Sequence, residues 1–184
     1  MITQKTIQLT GLVLVSTILF SFSSFYFSSW NISDDYNIRF SGRGADGTFS
    51  GLQGTINFDP ANLANARMDV SVDVKTISTG NNTKNKHARG DSWFDAETYP
   101  KITFRSEQFR KKGQAYEVVG DLTLHGTTKE VTIPFTFTEN TNGGLFVGTF
   151  TVDRQEYGIE GPLLAFTVGD DFEIELRVPV RGGN

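Results

Sequence analysis

The sequence predicts an all-β fold, an antiparallel up-and-down barrel of about eight strands, and three observations support this. After Trp30 the chain alternates apolar and polar residues with period two, which is typical of strands with one buried face. Short turn-forming pairs separate these runs, and short connections join antiparallel neighbours because parallel strands need long crossovers. The chain has 184 residues, 38% of them hydrophobic, and no cysteine. We therefore expect one domain with one core and no disulfide.

Residues 1–29 form the first predicted element, a signal peptide or membrane anchor that precedes a barrel domain at 30–184. The apolar run GLVLVSTILF matches the short hydrophobic region of a secretory signal, and Ser21 and Ser23 offer small residues for cleavage. We therefore expect the protein to be exported. The apolar-biased stretch from Ile7 to Phe27 approaches the ~20 residues of a membrane-spanning helix, so an uncleaved anchor stays open as the alternative.

The clearest predicted strand is ARMDVSVDVKTI at 66–77. Its Met68, Val70 and Val72 lie on one face, whereas Asp69 and Ser71 lie on the other. The same alternation predicts the other strands: YNIRFSG (36–42), GTINFD (54–59), KITFRS (101–106), YEVVGDLTL (116–124), VTIPFTF (131–137), LFVGTFTVD (145–153) and DFEIELRVPV (171–180).

Turn-forming pairs separate these strands, for example Lys112-Gly113, His125-Gly126 and Gly169-Asp170. The one long excursion is Ser78–Pro100, in which the aromatic residues Trp93, Phe94 and Tyr99 cluster. We predict that it forms a short helix that covers an end of the sheet.

An eight-stranded barrel has an interior that side chains just fill, or that holds one small ligand. The chain contains 16 phenylalanines, many on the inward face, and the glycines Gly54, Gly120 and Gly148 leave gaps between the rings. This combination favours an elongated apolar tunnel. Two alternatives stay open: the glycines serve only to let strands coil in a filled barrel, or the strands form a two-sheet sandwich.

The sequence lacks the features that several functional classes of protein require. The formal net charge is −4 with no basic block, which argues against nucleic acid as a partner. The two histidines are not spaced as metal ligands, and neither a calcium-loop pattern nor a phosphate-cradling glycine motif occurs. We assign no catalytic residue, no metal and no cofactor.

The histidines and one arginine are the remaining candidates for chemistry. His87 and Asp91 are four residues apart, as neighbours on a helix face would be, but this common spacing favours a loop-pinning role over catalysis. His125 precedes Gly126 at a tight turn, where histidine tolerates the left-handed conformation. Arg154 has two alternatives: it binds an anionic head group at the barrel mouth, or it pairs with Asp91 or Asp95 and fastens the helical excursion.

Taken together, five segments of the sequence resemble the YceI-like family of exported lipocalin-like proteins, which are also described as polyisoprenoid-binding. The segments occur in family order and are GTFSGLQGTINFDP (47–60), DVKTISTGNNTKNKH (73–87), DSWFDAETYPKITFRS (91–106), VVGDLTLHGTTKEVTIPF (118–135) and FTVDRQEYGI (150–159). The resemblance implies a lipocalin-like barrel around an apolar tunnel for a long-chain isoprenoid or related amphiphile, in the bacterial periplasm, without catalytic residues. Where the family commonly has Arg-Asp before the histidine and leucine after it, this chain has Lys84-Asn85 and Ala88. Tyr36-Asn37 replaces an early His-Ser pair.

The expected function is therefore non-catalytic binding, transport or storage of such a lipid. Trp93 and Phe94 would form a lid, and His87 and Arg154 are candidate head-group contacts. The candidate ligand-binding side chains are Phe58, Val70, Val72, Trp93, Phe94, Phe104, Leu122, Leu124, Phe135, Phe150, Phe172 and Ile174.

Three further expectations complete this interpretation. The protein is periplasmic or, with an uncleaved leader, anchored in the inner membrane and facing the periplasm. The sequence leaves open whether the protein forms a homodimer. The alternative functions are an enzyme acting on an envelope amphiphile and a ligand-free structural or stress-induced barrel.

Overall fold

A computed structural model describes residues 29–141, 143–162 and 167–183 of the chain. The predicted signal or anchor segment at 1–29 lies outside these ranges except for Ser29. Within them the chain forms ten strands and one α-helix. The strands are β1 (Ser29–Ile32), β2 (Asn37–Gly42), β3 (Ala45–Phe49), β4 (Gln53–Asn57), β5 (Arg67–Asp73), β6 (Lys101–Lys112), β7 (Ala115–Leu124), β8 (Thr127–Asn140), β9 (Gly143–Asp153) and β10 (Asp171–Gly182), and the helix is α1 (Asn82–Arg89).

The strands close into an eight-stranded antiparallel barrel, as the sequence predicts. β1 and β2 both pair with β10, through Trp30 with Gly182 and through Ile38 with Leu176, so they are two halves of one barrel strand. β3 and β4 are likewise two halves of the next strand, paired with β2 and β1 respectively. β4 to β10 then follow in order, each antiparallel to the last, and β10 meets β1.

The structure extends the predicted strands at three places. β1 and β3 have no counterpart among them because SWNI and ADGTF are short and show little alternation. β6 continues beyond Ser106 to Lys112, since a bulge between Ser106 and Gln108 shifts the register and returns Phe109 to the inward face. The period-two pattern therefore breaks in the sequence although the strand continues.

One end of the barrel, the closed end, is filled by aromatic rings packed around Phe58. The Phe58 ring, which is 1% exposed, meets those of Tyr116 and Phe137 at centroid distances of 5.2 and 5.1 Å, mostly edge to face. Phe109, Phe135 and Phe146 complete the cluster. The indole N–H of Trp30 donates to the carbonyl of Phe58 at 2.9 Å, which joins the first strand to this cluster.

The opposite end is covered by the segment 78–100, which includes α1, as predicted. We call residues 78–100 the lid. Ser78 and Thr48 exchange backbone hydrogen bonds of 2.8 and 2.9 Å, and Pro100 accepts one from Val74, so both ends of the lid are fixed to the barrel. A Cβ on Gly47 would lie 2.3 Å from the carbonyl oxygen of Ser78, so only glycine permits this close approach.

None of the helical segments in the described ranges has the length and apolar character that crossing a membrane would require.

Candidate ligand-binding cavity

A cavity of about 600 Å³ occupies the barrel between the aromatic cluster and the lid. Its volume lies within the ~300–1,000 Å³ that is usual for small-molecule sites. Ile133, Phe135 and Phe146 form its floor over the closed end, and Trp93, Phe94 and Ala88 of the lid contribute its cover. Most of its lining residues are aliphatic or aromatic, as an apolar tunnel requires.

The structure brings nearly all of the predicted ligand-binding residues to this cavity. Lining residues among them are Val70, Val72, Trp93, Phe94, Phe104, Leu122, Leu124, Phe135, Phe150, Phe172 and Ile174. Phe58 differs, because it follows β4 at the closed end and its ring lies inside the aromatic cluster rather than on the cavity wall. Of the three gap-forming glycines, Gly148 lines the cavity and Gly54 and Gly120 do not.

The lining also contains residues outside the predicted set. Phe40, Met68 and Leu176 continue the inward faces of β2, β5 and β10, so the alternation could have identified them. Lys84 lies three residues before His87, and both residues line the cavity. Helical spacing could have suggested this pair, since residues three apart are neighbours on a helix surface. Thr167 and Val168 belong to the β9–β10 connection, which carries no periodic pattern.

Arg154 is buried at the cavity rim, where residues of the β9–β10 connection surround it. Its Nε–H donates to the carbonyl of Gly169 at 2.9 Å, and Nη1 donates to the carbonyls of Ile159 and Glu160. Nη2 donates to Asp170 Oδ1 at 2.7 Å. The predicted pairing with Asp91 or Asp95 is therefore wrong, because the carboxylate partner comes from the β9–β10 connection.

These contacts occupy four of the five N–H donors of the guanidinium. The guanidinium carbon also lies 5.5 Å from the centre of the Trp93 ring. Arg154 thus connects the β9–β10 connection to the lid, and this arrangement favours a structural role over head-group binding.

His87 lies on α1, exposed at the mouth of the cavity. α1 ends at Arg89, so Asp91 lies beyond the helix and the predicted shared helix face does not form. Among the described residues His87 makes no side-chain hydrogen bond or ion pair. The hydroxyl of Ser106, in β6, accepts the backbone N–H of Met68 at 2.8 Å. The described structure therefore contains no serine–histidine–aspartate arrangement around His87.

His125 has the predicted turn conformation. Its φ of 51° and the φ of 74° at Gly126 place both residues in the left-handed region of the β7–β8 hairpin. The imidazole meets the Tyr99 ring at 4.6 Å, and its Nδ1 lies 3.3 Å from the carbonyl oxygen of Tyr157. It therefore joins the hairpin, the lid and the β9–β10 connection.

Tyr157, a buried tyrosine of the β9–β10 connection, has a shifted pKa. Burial of its ring, reinforced by the neighbouring Glu156 carboxylate, raises the pKa of Tyr157 above its ordinary value. No three histidine, aspartate or glutamate side chains lie close enough together to hold a metal ion in the ranges that the structure describes.

This chain is similar to known proteins in sequence and in structure. The model of the YceI-like domain matches residues 26–180. A UPF0312 protein of Vibrio cholerae is 32% identical over 143 residues, which cover 74% of this chain and 72% of that protein.

Two solved structures extend the comparison. BcnA of Burkholderia cenocepacia superposes with a TM-score of 0.77 at 25% identity, over 81% of this chain and 99% of BcnA. A structure described as a polyisoprenoid binding domain from Saccharophagus degradans has a TM-score of 0.62 at 13% identity, over 85% of this chain and 99% of that one. At that identity the likeness shows the shared fold alone. Because the family model spans most of the sequence, this chain belongs to the YceI-like family.

Proposed function

We propose that the protein binds a long-chain isoprenoid or a similar amphiphilic lipid inside the barrel, for transport or storage, without catalysing a reaction on it. The observation that carries the proposal is the cavity of about 600 Å³ with a largely apolar wall between the closed end and the lid. A ligand with a long hydrocarbon chain suits such a wall because apolar contact is all that the wall offers along most of its length. The polyisoprenoid binding described for the Saccharophagus degradans domain agrees with this proposal.

Chain length would supply most of the affinity. Burial of one five-carbon isoprene unit contributes up to roughly 4 kcal/mol at about 0.8 kcal/mol per carbon. The cost of association is estimated at ~4–15 kcal/mol, so a few units offset it. Affinity should therefore rise steeply with each unit until the cavity is full, and then level off.

A fluorescence titration with isoprenols of increasing length tests the proposal. Trp93 lines the cavity whereas Trp30 lies at the closed end, so a Trp30→Phe variant reports binding through Trp93 alone. We expect saturable binding whose affinity increases with chain length. Absence of saturable binding for every length would contradict the proposal, as would turnover of the bound lipid that His87→Ala abolishes.

We also propose that residues 1–29 direct the protein out of the cytoplasm, to the periplasm of its host. The support is the apolar run GLVLVSTILF followed by small residues. Intact mass measurement of the protein from each cell fraction tests this. A periplasmic species lacking the leader supports cleavage, a membrane-bound species of full mass supports the anchored alternative, and a full-length soluble cytoplasmic protein contradicts export.

A further inference from the structure

The mouth of the cavity carries a charge pattern that the apolar wall does not explain. The exposed lining residues at this end are Gly44, Asp46, Lys84, His87 and Thr167. Lys84 and His87 project from α1, three residues apart, and both contact the cavity. Of these exposed residues, the two that can carry positive charge thus lie side by side over the opening.

The helix that presents them is basic along its whole length. α1 has the sequence NTKNKHAR, with three lysine or arginine residues and one histidine but no acidic residue. The chain as a whole has a formal net charge of −4. The one α-helix of the described structure, placed over the cavity, thus has the opposite charge to the rest of the protein.

Lys84 occupies a position that local energetics disfavour. Asn81 caps the helix and accepts the backbone N–H of Lys84 at 3.0 Å, so Lys84 belongs to the first turn. A positive charge there opposes the helix dipole, which favours cations at the other end. No carboxylate of a described residue lies within ion-pair distance of its ammonium group, so no partner offsets this cost. Locally unfavourable choices of this kind concentrate at functional sites.

We infer that the ligand has an anionic head group, a phosphate or a carboxylate, which binds at the mouth to Lys84 and His87. Arg154 is not assigned this role, because Asp170 and three backbone carbonyls occupy four of its five N–H donors. The hydrocarbon tail would extend from the mouth toward the floor at Phe135. This inference rests on the proposed function, and it identifies the chemical class of the ligand.

The test compares three ligands with the same twenty-carbon isoprenoid tail: a phosphate, a carboxylic acid and a neutral alcohol. Each is titrated into wild type, Lys84→Gln and Lys86→Gln. Lys86 provides a matched control because it lies on the same helix, is exposed, and does not line the cavity. Since the mouth is open to solvent, we expect wild type to prefer an anionic ligand to the alcohol by about five- to tenfold at low salt.

Lys84→Gln should reduce this preference to about twofold or less while leaving the affinity for the alcohol within about twofold, and Lys86→Gln should change neither. Added salt should reduce the preference of wild type, as it weakens exposed ion pairs. Asp46→Asn should strengthen the binding of the anionic ligands only, since Asp46 is the one acidic residue among the described residues that line the cavity. Comparison of the phosphate titration with the carboxylic acid titration shows which of the two anions the protein prefers.

Equal affinity for the three ligands, or equal loss in the Lys84 and Lys86 variants, would overturn the inference and leave the proposed function intact. Failure of every ligand to bind, the alcohol included, would instead contradict the proposed function itself.

Discussion

The guanidinium of Arg154 lies over the ring of Trp93, with 5.5 Å between the guanidinium carbon and the ring centre. Arg154 also binds Gly169 and Asp170, so one buried cation connects the lid to the β9–β10 connection. A cation over an indole face is attracted by the ring quadrupole. The rim of the cavity therefore depends on this residue.

Substitution of Arg154 should destabilise the fold strongly. Arg154→Ala leaves the carbonyls of Ile159 and Gly169 without their donor, and we expect a loss of about 3 kcal/mol in the free energy of unfolding, measured by urea denaturation. Arg105→Ala is the matched control, because Arg105 pairs with Asp69 at 3.1 Å on the exposed surface and should cost under about 1 kcal/mol. Equal losses for the two variants would contradict the role given to Arg154.

Trp93 should contribute to ligand affinity as part of the lid. Trp93→Ala removes a ring that lines the cavity, and we expect about a tenfold loss of affinity for an isoprenoid, measured by titration calorimetry. A variant that loses stability while keeping wild-type affinity would show that Trp93 acts in packing alone.

Substitutions of Phe58 and Phe150 should have different effects on the stability of the fold and on ligand affinity. Phe58 lies in the aromatic cluster, whereas Phe150 lines the cavity. Phe58→Leu should lower the melting temperature more than Phe150→Leu, because it removes ring contacts in a filled region. Phe150→Leu should lower ligand affinity, and Phe58→Leu should leave it within about twofold. The reverse pattern would place the ligand in the closed end.

Filling the cavity should cost little stability. Val70 lines the cavity and is half-buried, so the larger ring of a Val70→Phe variant can extend into empty space. Overpacking of a filled core costs ~1–3 kcal/mol, whereas here we expect less than about 1 kcal/mol together with at least a tenfold loss of affinity. Strong destabilisation in thermal unfolding would favour a filled barrel.

Tyr157 should make the stability of the protein fall at alkaline pH. Burial raises the pKa of Tyr157 in the folded state, so the unfolded chain ionises first, near pH ~10. The contribution of the protonated Tyr157 side chain to the free energy of unfolding is complete below that pH, and it is lost as the pH rises through the folded-state pKa. The free energy of unfolding of wild type should therefore decline above pH ~10 relative to Tyr157→Phe. Parallel curves for the two proteins from pH 8 to 11 would contradict this.

The sequence predicted the barrel because its inward residues obey one simple periodicity. Val70, Phe104 and Leu122 lie on the predicted face and line the cavity. The alternation does not show how far along the barrel axis a residue lies, so it groups Phe58 with the cavity-lining residues although Phe58 belongs to the closed end. The partner of Arg154 could not be predicted either, because Asp170 reaches it through an irregular connection.

The most direct test of the account is native mass spectrometry, with lipid extraction, on the protein purified from its own host. We predict a bound long-chain amphiphile in wild type that is absent from Val70→Phe. Ligand-free wild-type protein that also fails to take up added isoprenoids would contradict the account.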